Sequence, residues 1–379
     1  MPVYLDNSAT TRPCEAAIDA AVRAMREDYF NPSALYGPAL AAQREMKACR
    51  EEILRAVHAP SGSQVIFTSG GTEGDNLAIL GKAAKAHGEG AVLYSAGEHP
   101  AVKEACLHSG LKAVEFPFLT DGTADLNALE ALIDENTALL CCMQVNNETG
   151  AIQPLQAIGD LLRRKAPRAH FHVDGVQGFL RVPLDMAQIG AHTYALSGHK
   201  IHAPKGIGAL VSAPGVSLTP RQIGGGQEGA WRSGTENTPG IFAMLAAIRA
   251  YPGDNAMREN KLLLWRLLKA AIPSARVNGP DPEGEKAAPH ILNVSLPPVR
   301  SETMLHALEG EGIYVGMGSA CSSRKQKISA VLKAMRTPQL LAESALRFSL
   351  CADNTREEME ITAEAIQRQY AILSKFVRR

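Results

Sequence analysis

Between residues 65 and 212 two patterns alternate, and this alternation constrains the fold more than any other feature. Short β-rich runs occur at Val65–Ser69, Ala91–Ser95, Ala113–Phe116, Ala138–Val145, Ala169–Val173, Thr193–Leu196 and Ile207–Ser212. Several are apolar almost throughout, as strands covered on both faces are. Between them lie stretches with helical spacing. Leu155, Ile158, Leu161 and Leu162 keep one face, and Ala166-Pro167 ends that helix. Thr72 to about Ala86 reads as another. The alternation predicts an α/β fold with a doubly wound, mostly parallel sheet. Ligands in such folds bind at the carboxyl ends of the strands.

After about Tyr251 the pattern changes. Pro252-Gly253-Asp254 is a turn signal, followed by a helix with Leu264, Leu268 and Ala271 on one side. The segment Asn278–Pro289 is loose, rich in Gly, Pro and charge. Thr355-Arg-Glu-Glu358 is a capping box, and Met359, Ala363, Ile366, Tyr370 and Leu373 then repeat at helical spacing. We expect a large α/β domain over 16–254 and a smaller α+β domain from 1–15 and 255–379. Pattern does not determine where residues 1–15 dock.

Composition excludes several classes. A chain of 379 residues can bury its core without a disulfide or metal staple. Its seven cysteines form no CxxC pair, which argues against a disulfide framework or a zinc ribbon, so no metal is expected. Its 39 basic residues balance 39 acidic ones, so a general nucleic-acid-binding surface is not expected. No run approaches the ~18 apolar residues of a membrane helix. Met-Pro-Val-Tyr-Leu-Asp lacks the layout of a signal peptide, so a cytoplasmic, reducing location is expected.

Six segments could carry chemistry. Thr68-Ser-Gly-Gly-Thr-Glu-Gly-Asp-Asn76 follows a strand and opens a helix. It reads as a phosphate cradle or as a plain strand–helix turn with Thr72 as N-cap. Tyr194-Ala-Leu-Ser-Gly-His-Lys200 puts a lysine just past a strand end, beside Ser197 and His199. Lys200 is either a desolvated amine able to form a Schiff base or a solvated loop lysine. Asp174 ends a buried-looking strand and needs a cationic or hydrogen-bonding partner, a protonated ring nitrogen or a loop N–H. His172 alternates with Asp174 and reads as a core histidine. His99 lies just past a strand and before Pro100, fit to stack on a cofactor ring or to cap a helix. Cys321 sits among small residues and is followed by Arg324-Lys-Gln-Lys327, where positive charge favours thiolate; the alternative is a buried loop thiol. The other six cysteines read as small apolar fillers. Arg347 is flanked by apolar residues and calls for a carboxylate, from the protein or from a substrate. Together these describe a pyridoxal 5′-phosphate site.

The chain resembles the cysteine desulfurases of the NifS/IscS type, within the class V aminotransferase, type I PLP-transferase fold. The resemblance covers nearly the whole chain. It rests on Tyr4-Leu-Asp-Asn-Ser-Ala-Thr-Thr11, Asn31-Pro-Ser, Gly71-Thr-Glu-Gly-Asp-Asn76, Glu98-His99, Asn146-Asn-Glu-Thr-Gly150, Asp174-Gly-Val-Gln177, Ser197-Gly-His-Lys200, Arg232-Ser-Gly-Thr235, Gly318-Ser-Ala-Cys321 and Arg347-Phe-Ser349. It implies that Lys200 holds pyridoxal phosphate and acts as base at the substrate Cα. Asp174 would pair with the ring nitrogen, and His99 would stack on the ring and move protons. Asn147 and Gln177 would contact the ring hydroxyl. Gly71, Thr72, Ser197 and His199 would form the phosphate cradle, and Thr235 would reach the phosphate of the other subunit of a homodimer. Arg347, helped by Asn147, would bind the substrate carboxylate. Cys321 would take sulfur from L-cysteine as a persulfide and release alanine. A sulfur-acceptor protein is implied, an iron–sulfur scaffold or a tRNA-thiolation enzyme. A selenocysteine lyase or an aminotransferase on the same fold is the nearest alternative. Three departures stand out: Gly175 where the family often has alanine, His202-Ala203 where many members carry an aromatic residue and glycine, and Cys351-Ala352 where glycine is common.

Overall fold

The alternating runs form one seven-stranded sheet. The computed structural model describes residues 2–253, 255–317 and 328–376. After β1 (Val3–Leu5) come β2 (Gln64–Thr68), β3 (Ala91–Ser95), β4 (Lys112–Phe116), β5 (Thr137–Cys141), β6 (His170–Asp174), β7 (Thr193–Ser197) and β8 (Gly208–Ser212). The strand order is β2-β8-β7-β6-β5-β3-β4. From β7 to β4 every pairing is parallel, and β8 runs antiparallel to both neighbours. β2 therefore points the same way as β7, and six of the seven strands bring their carboxyl ends to one edge.

The strands are apolar because both faces are covered. Helices α1 (Glu15–Arg26) and α2 (Gly37–Ala56) pack on the helix Thr238–Ala250 at one face, with Phe67, Leu93 and Phe171 from the sheet in the same core. The opposite face carries α3 (Gly71–Ala83) and α4 (Pro100–Leu107). There Ile79, Val102 and Cys106 pack against Val92 and Tyr94, the residues that alternate with Leu93 along β3. At the outer edge β4 is only partly covered and exposes Lys112 and Glu115, charges that discourage further strand pairing.

Two elements differ from the sequence expectation. The run Ala138–Val145 stays extended only through Cys141, and Val145 turns away to bridge Ile152. The helix expected from Thr72 begins at Gly71, with Gly70 as its N-cap, so Thr72 lies inside the first turn and does not cap it. An added Cβ on Gly208 would stand 2.7 Å from the Gly70 Cα, so glycine at both positions lets β8 touch this turn.

The last third builds separate sheets. β9 (Arg276–Val277), β10 (Ile291–Ser295) and β12 (Ala345–Ser349) form an antiparallel sheet in the order β12-β10-β9, and β1 pairs in parallel with β11 (Ile313–Val315). Their core joins Leu264, Leu292, Val294, Phe348, Met359 and Ile366 with Leu5. The capping box is formed: Glu358 N–H donates to Thr355 Oγ1 at 3.2 Å, and Thr355 N–H to Glu358 Oε2 at 2.9 Å.

The segment after β1 crosses between the two regions. Asn7 N–H donates to the Ser349 carbonyl, whereas Thr11 and Cys14 N–H donate to the carbonyls of His199 and His202. Residues 8–11 thus lie over the lysine-bearing turn. Among the described residues no helix is long and apolar enough to cross a membrane.

Candidate active site

Parallel strands deliver the predicted residues to one edge. Asp174 is the last residue of β6, and β7 runs into the helical turn Gly198–Lys200. β2 leads into Gly70 and α3, and β3 into His99, the N-cap of α4.

Lys200 is buried, and its Nζ donates to the carbonyls of Ser8 and, at 2.7 Å, Ala9. Burial pulls its pKa down to about 7; the Arg181 and Arg347 cations push the same way, and Asp6 and Asp174 oppose them. Asp174 Oδ1 accepts the Val176 N–H at 2.9 Å. Burial raises this carboxyl, while His99, that N–H and Lys200 draw it back. His99 is held below the usual imidazole range by burial, against the pull of Asp174 and with help from Lys200. Its Nδ1 accepts the Ala101 N–H at 3.2 Å, so the proton of the neutral ring sits on Nε2. Both readings of His99 are thus compatible: it caps α4 and stands within the field of Asp174 and Lys200.

The remaining predicted residues gather around this trio, with two exceptions. Gly71 faces Ser197, and a Cβ on it would come within 2.5 Å of Val176 Cγ2, so the helix start fits closely against the turn after Asp174. Thr72 is exposed at that helix start. His199 Nδ1 lies 3.1 Å from Thr10 Oγ1, and burial with the neighbouring Lys200 and Lys205 takes its pKa to about 4, leaving it neutral. Gln177 Nε2 donates to the Ser8 carbonyl at 3.0 Å, the same oxygen that Lys200 uses. Arg347, on β12, donates to the Asn147 carbonyl at 2.9 Å and pairs with Asp6 at 2.6 Å, so its carboxylate partner here comes from the protein. Thr235 is exposed in the loop before the helix Thr238–Ala250, and among the described residues no hydrogen bond joins it to the others. Cys321 lies outside the described residues.

Four groups around the site carried no role in the sequence reading. Asp6 belongs to the opening motif but carried no role. Arg181 is buried against Gln177 and the Lys200 carbonyl. Its signal was available, because Phe179, Leu180 and Val182 flank it as apolar residues flank Arg347. Glu98 is buried with Oε1 accepting from Ser95 Oγ at 2.6 Å and Met143 N–H at 2.8 Å, and burial pushes it up to about 8. Tyr194 explains Gly175: a Cβ there would sit 1.9 Å from the Tyr194 Cζ, so the ring fills the space that an alanine needs. His172 is the expected core histidine, its Nε2 3.1 Å from Asp75 Oδ1 and its Nδ1 2.9 Å from Thr193 Oγ1.

Similarity to known proteins agrees with this arrangement. The family described as aminotransferase class-V matches residues 3–361. A cysteine desulfurase of Trichormus azollae is 35% identical over 386 residues, covering 98% of this chain and 94% of that protein. The cysteine desulfurase IscS of Methanosarcina thermophila is 34% identical over 380 residues, covering 97% of this chain and 92% of that protein. Among solved structures, a NifS-like protein superposes with a TM-score of 0.90 at 31% identity, covering 98% of this chain and all (100%) of that one. By a match over almost its whole length and by full-length relatives, the chain belongs to the aminotransferase class-V family.

Proposed function

We propose that this chain is a pyridoxal 5′-phosphate-dependent cysteine desulfurase. One observation carries the reading most directly: Lys200 is a buried amine with a pKa near 7, placed at strand ends beside Asp174 and His99. The full-length cysteine desulfurase relatives support it.

The residues present fit the cofactor. Lys200 would tether it. Asp174 has one oxygen engaged by Val176 and, among the described residues, no hydrogen bond on the other, which suits a pyridinium nitrogen. His99 would face the ring with its proton on Nε2, and Gln177 and Asn147 would serve the ring hydroxyl. Gly71, Thr72, Ser197 and His199 would hold the phosphate at the start of α3, joined by the partner subunit's Thr235. When bound, pyridoxal phosphate supplies an electron sink for charge developing at the substrate Cα.

The chain's own groups then have distinct tasks. Asp174, drawn toward its charged form by His99, the Val176 N–H and Lys200, would offer a carboxylate where a cationic nitrogen would sit. With a pKa of about 7, Lys200 has a substantial neutral fraction near pH 7 and can accept the Cα proton. Arg347 would grip the substrate carboxylate through its guanidinium, with Asp6 and the Asn147 carbonyl fixing its orientation. Cys321 thiolate would attack the cysteine sulfur. The new S–S bond forms as the C–S bond breaks, and cysteine plus thiol become alanine plus persulfide with no external oxidant.

Further parts of the proposal follow from family resemblance: a homodimer, a cytoplasmic location, and transfer of the sulfur to an acceptor protein without direct contact with nucleic acid. The division into a large domain, 16–254, and a small one, 1–15 with 255–379, belongs here too. It is supported by the separate core around Leu264 and Phe348, which includes Val3 and Leu5.

The test uses two variants. Lys200→Ala should lose the visible absorbance of bound cofactor. Cys321→Ala should keep that absorbance but form no persulfide and release no alanine from cysteine. Unchanged cysteine turnover in Cys321→Ala would overturn the assignment.

A further inference from the structure

Arg181 is fully buried, four residues beyond Gln177, and its hydrogen-bond partners among the described residues are all neutral. Its Nη1 donates to Gln177 Oε1 at 3.1 Å, its Nε to the Tyr251 hydroxyl at 3.3 Å, and its Nη2 to the Lys200 carbonyl. Among the described residues no carboxylate lies within 4.0 Å of the guanidinium, whereas buried Arg347 has Asp6. A buried cation without a counterion is costly. Packing alone would be served by an apolar residue at this position, so the charge itself needs a reason.

Two consequences follow from the geometry. The first concerns the Gln177 amide. Its oxygen accepts a hydrogen bond from Arg181, and one of its N–H bonds points at the Ser8 carbonyl at 3.0 Å. A flipped amide would set NH₂ against guanidinium, donor against donor, and would turn its oxygen toward the Ser8 carbonyl, acceptor against acceptor. The second N–H remains to face the site, so Gln177 presents a donor there. The second consequence concerns Lys200. Its backbone carbonyl is bonded to the guanidinium, and after burial the Arg181 charge is the largest influence against a proton on its amine.

We propose that Arg181 is a positioning residue, a buried cation beside Lys200 that locks the Gln177 amide with its N–H toward the site and holds the Lys200 backbone carbonyl. The proposal rests on Lys200 being the cofactor-bearing lysine.

The test is a pH titration of the visible absorbance of the cofactor-loaded protein, with borohydride trapping and peptide mapping of the labelled lysine. Trapping of wild type at Lys200 establishes the underlying reading; trapping elsewhere, or none, ends that reading independently of Arg181. Given trapping at Lys200, Arg181→Gln should move the titration midpoint up by about one pH unit or more. Arg181→Lys keeps the charge and should move it less. Arg181→Met removes the charge and keeps an apolar stem of similar length, and should also move the midpoint up. This third variant covers the case in which Arg181→Gln prevents folding. A merely structural arginine predicts midpoints that superimpose on wild type in every variant that folds, and that result would overturn the proposal.

Discussion

The ε-amine of Lys200 donates to the backbone carbonyl of Ala9 at 2.7 Å, across 191 residues of chain. The N-terminal segment thus supplies the acceptors that a buried amine needs, and it does so with carbonyls, which bear no full charge to hold the proton.

The shift of Lys200 sets a slope in stability. Its folded pKa is about 7 against an ordinary 10.5. Between these values the unfolded chain binds more protons than the native one, so this group makes stability rise with pH. The penalty is complete below pH 7 and gone above about pH 10.5. Cofactor-free Lys200→Met should therefore gain on wild type most at pH 7, and that gain should shrink at pH 9. Urea midpoints at the two pH values measure it, and a difference that does not change with pH contradicts the shift.

Gly175 and Tyr194 are coupled. An alanine at 175 pushes on a ring whose hydroxyl donates to Gln144 Oε1 at 2.8 Å. Gly175→Ala should cost about 1–3 kcal/mol of stability, the usual range for overpacking. In a double-mutant cycle with Tyr194→Leu, the alanine should cost much less. Strict additivity of the two changes would show that the ring is not what excludes the methyl group.

These examples mark the boundary of what the sequence discloses. The sheet was readable because parallel strands covered on both faces must be apolar nearly throughout, as β3 and β5 are. Lys200, Asp174 and His99 were readable because each lies at or just past the end of its own strand, and parallel pairing alone brings strand ends together. Contacts between distant segments left no periodic trace. The docking of residues 7–14, the Asp6 to Arg347 pair and the Tyr194 ring over Gly175 all depend on how separate elements meet. Strand propensity also overran the true end of β5, because Cys142 and Gln144 still donate to β6 carbonyls while the chain bends away.

Asp6 supplies the countercharge of Arg347. Asp6→Asn keeps an oxygen acceptor and removes the charge. The variant should lose about 1.5–3 kcal/mol, the range for a charge-assisted hydrogen bond. Added L-alanine should then stabilise the cofactor-loaded variant more than the loaded wild type, because its carboxylate restores the missing charge. Thermal melts with and without alanine test both statements. An unchanged melting temperature in the ligand-free variant would mean that the pair contributes nothing.

Glu98 carries the opposite slope to Lys200. Its folded pKa is about 8, above the ordinary 4.5, because burial outweighs the two hydrogen bonds on Oε1, and the nearby Asp174 charge raises it further. Its Oε2 has no partner among the described residues, consistent with a carboxyl kept neutral. Between pH 4.5 and 8 the native state holds a proton that the unfolded chain has released, so Glu98 makes stability fall as pH rises. Glu98→Gln preserves the Oε1 acceptor for Ser95 and Met143 and cannot ionise. Relative to wild type the variant should be close at pH 5 and increasingly favoured toward pH 8, read as the difference between urea midpoints. Because Lys200 is common to both proteins, its own slope cancels in that difference. A variant that tracks wild type at every pH would place the Glu98 carboxyl in contact with solvent and remove it from the buried acidic group around Asp174.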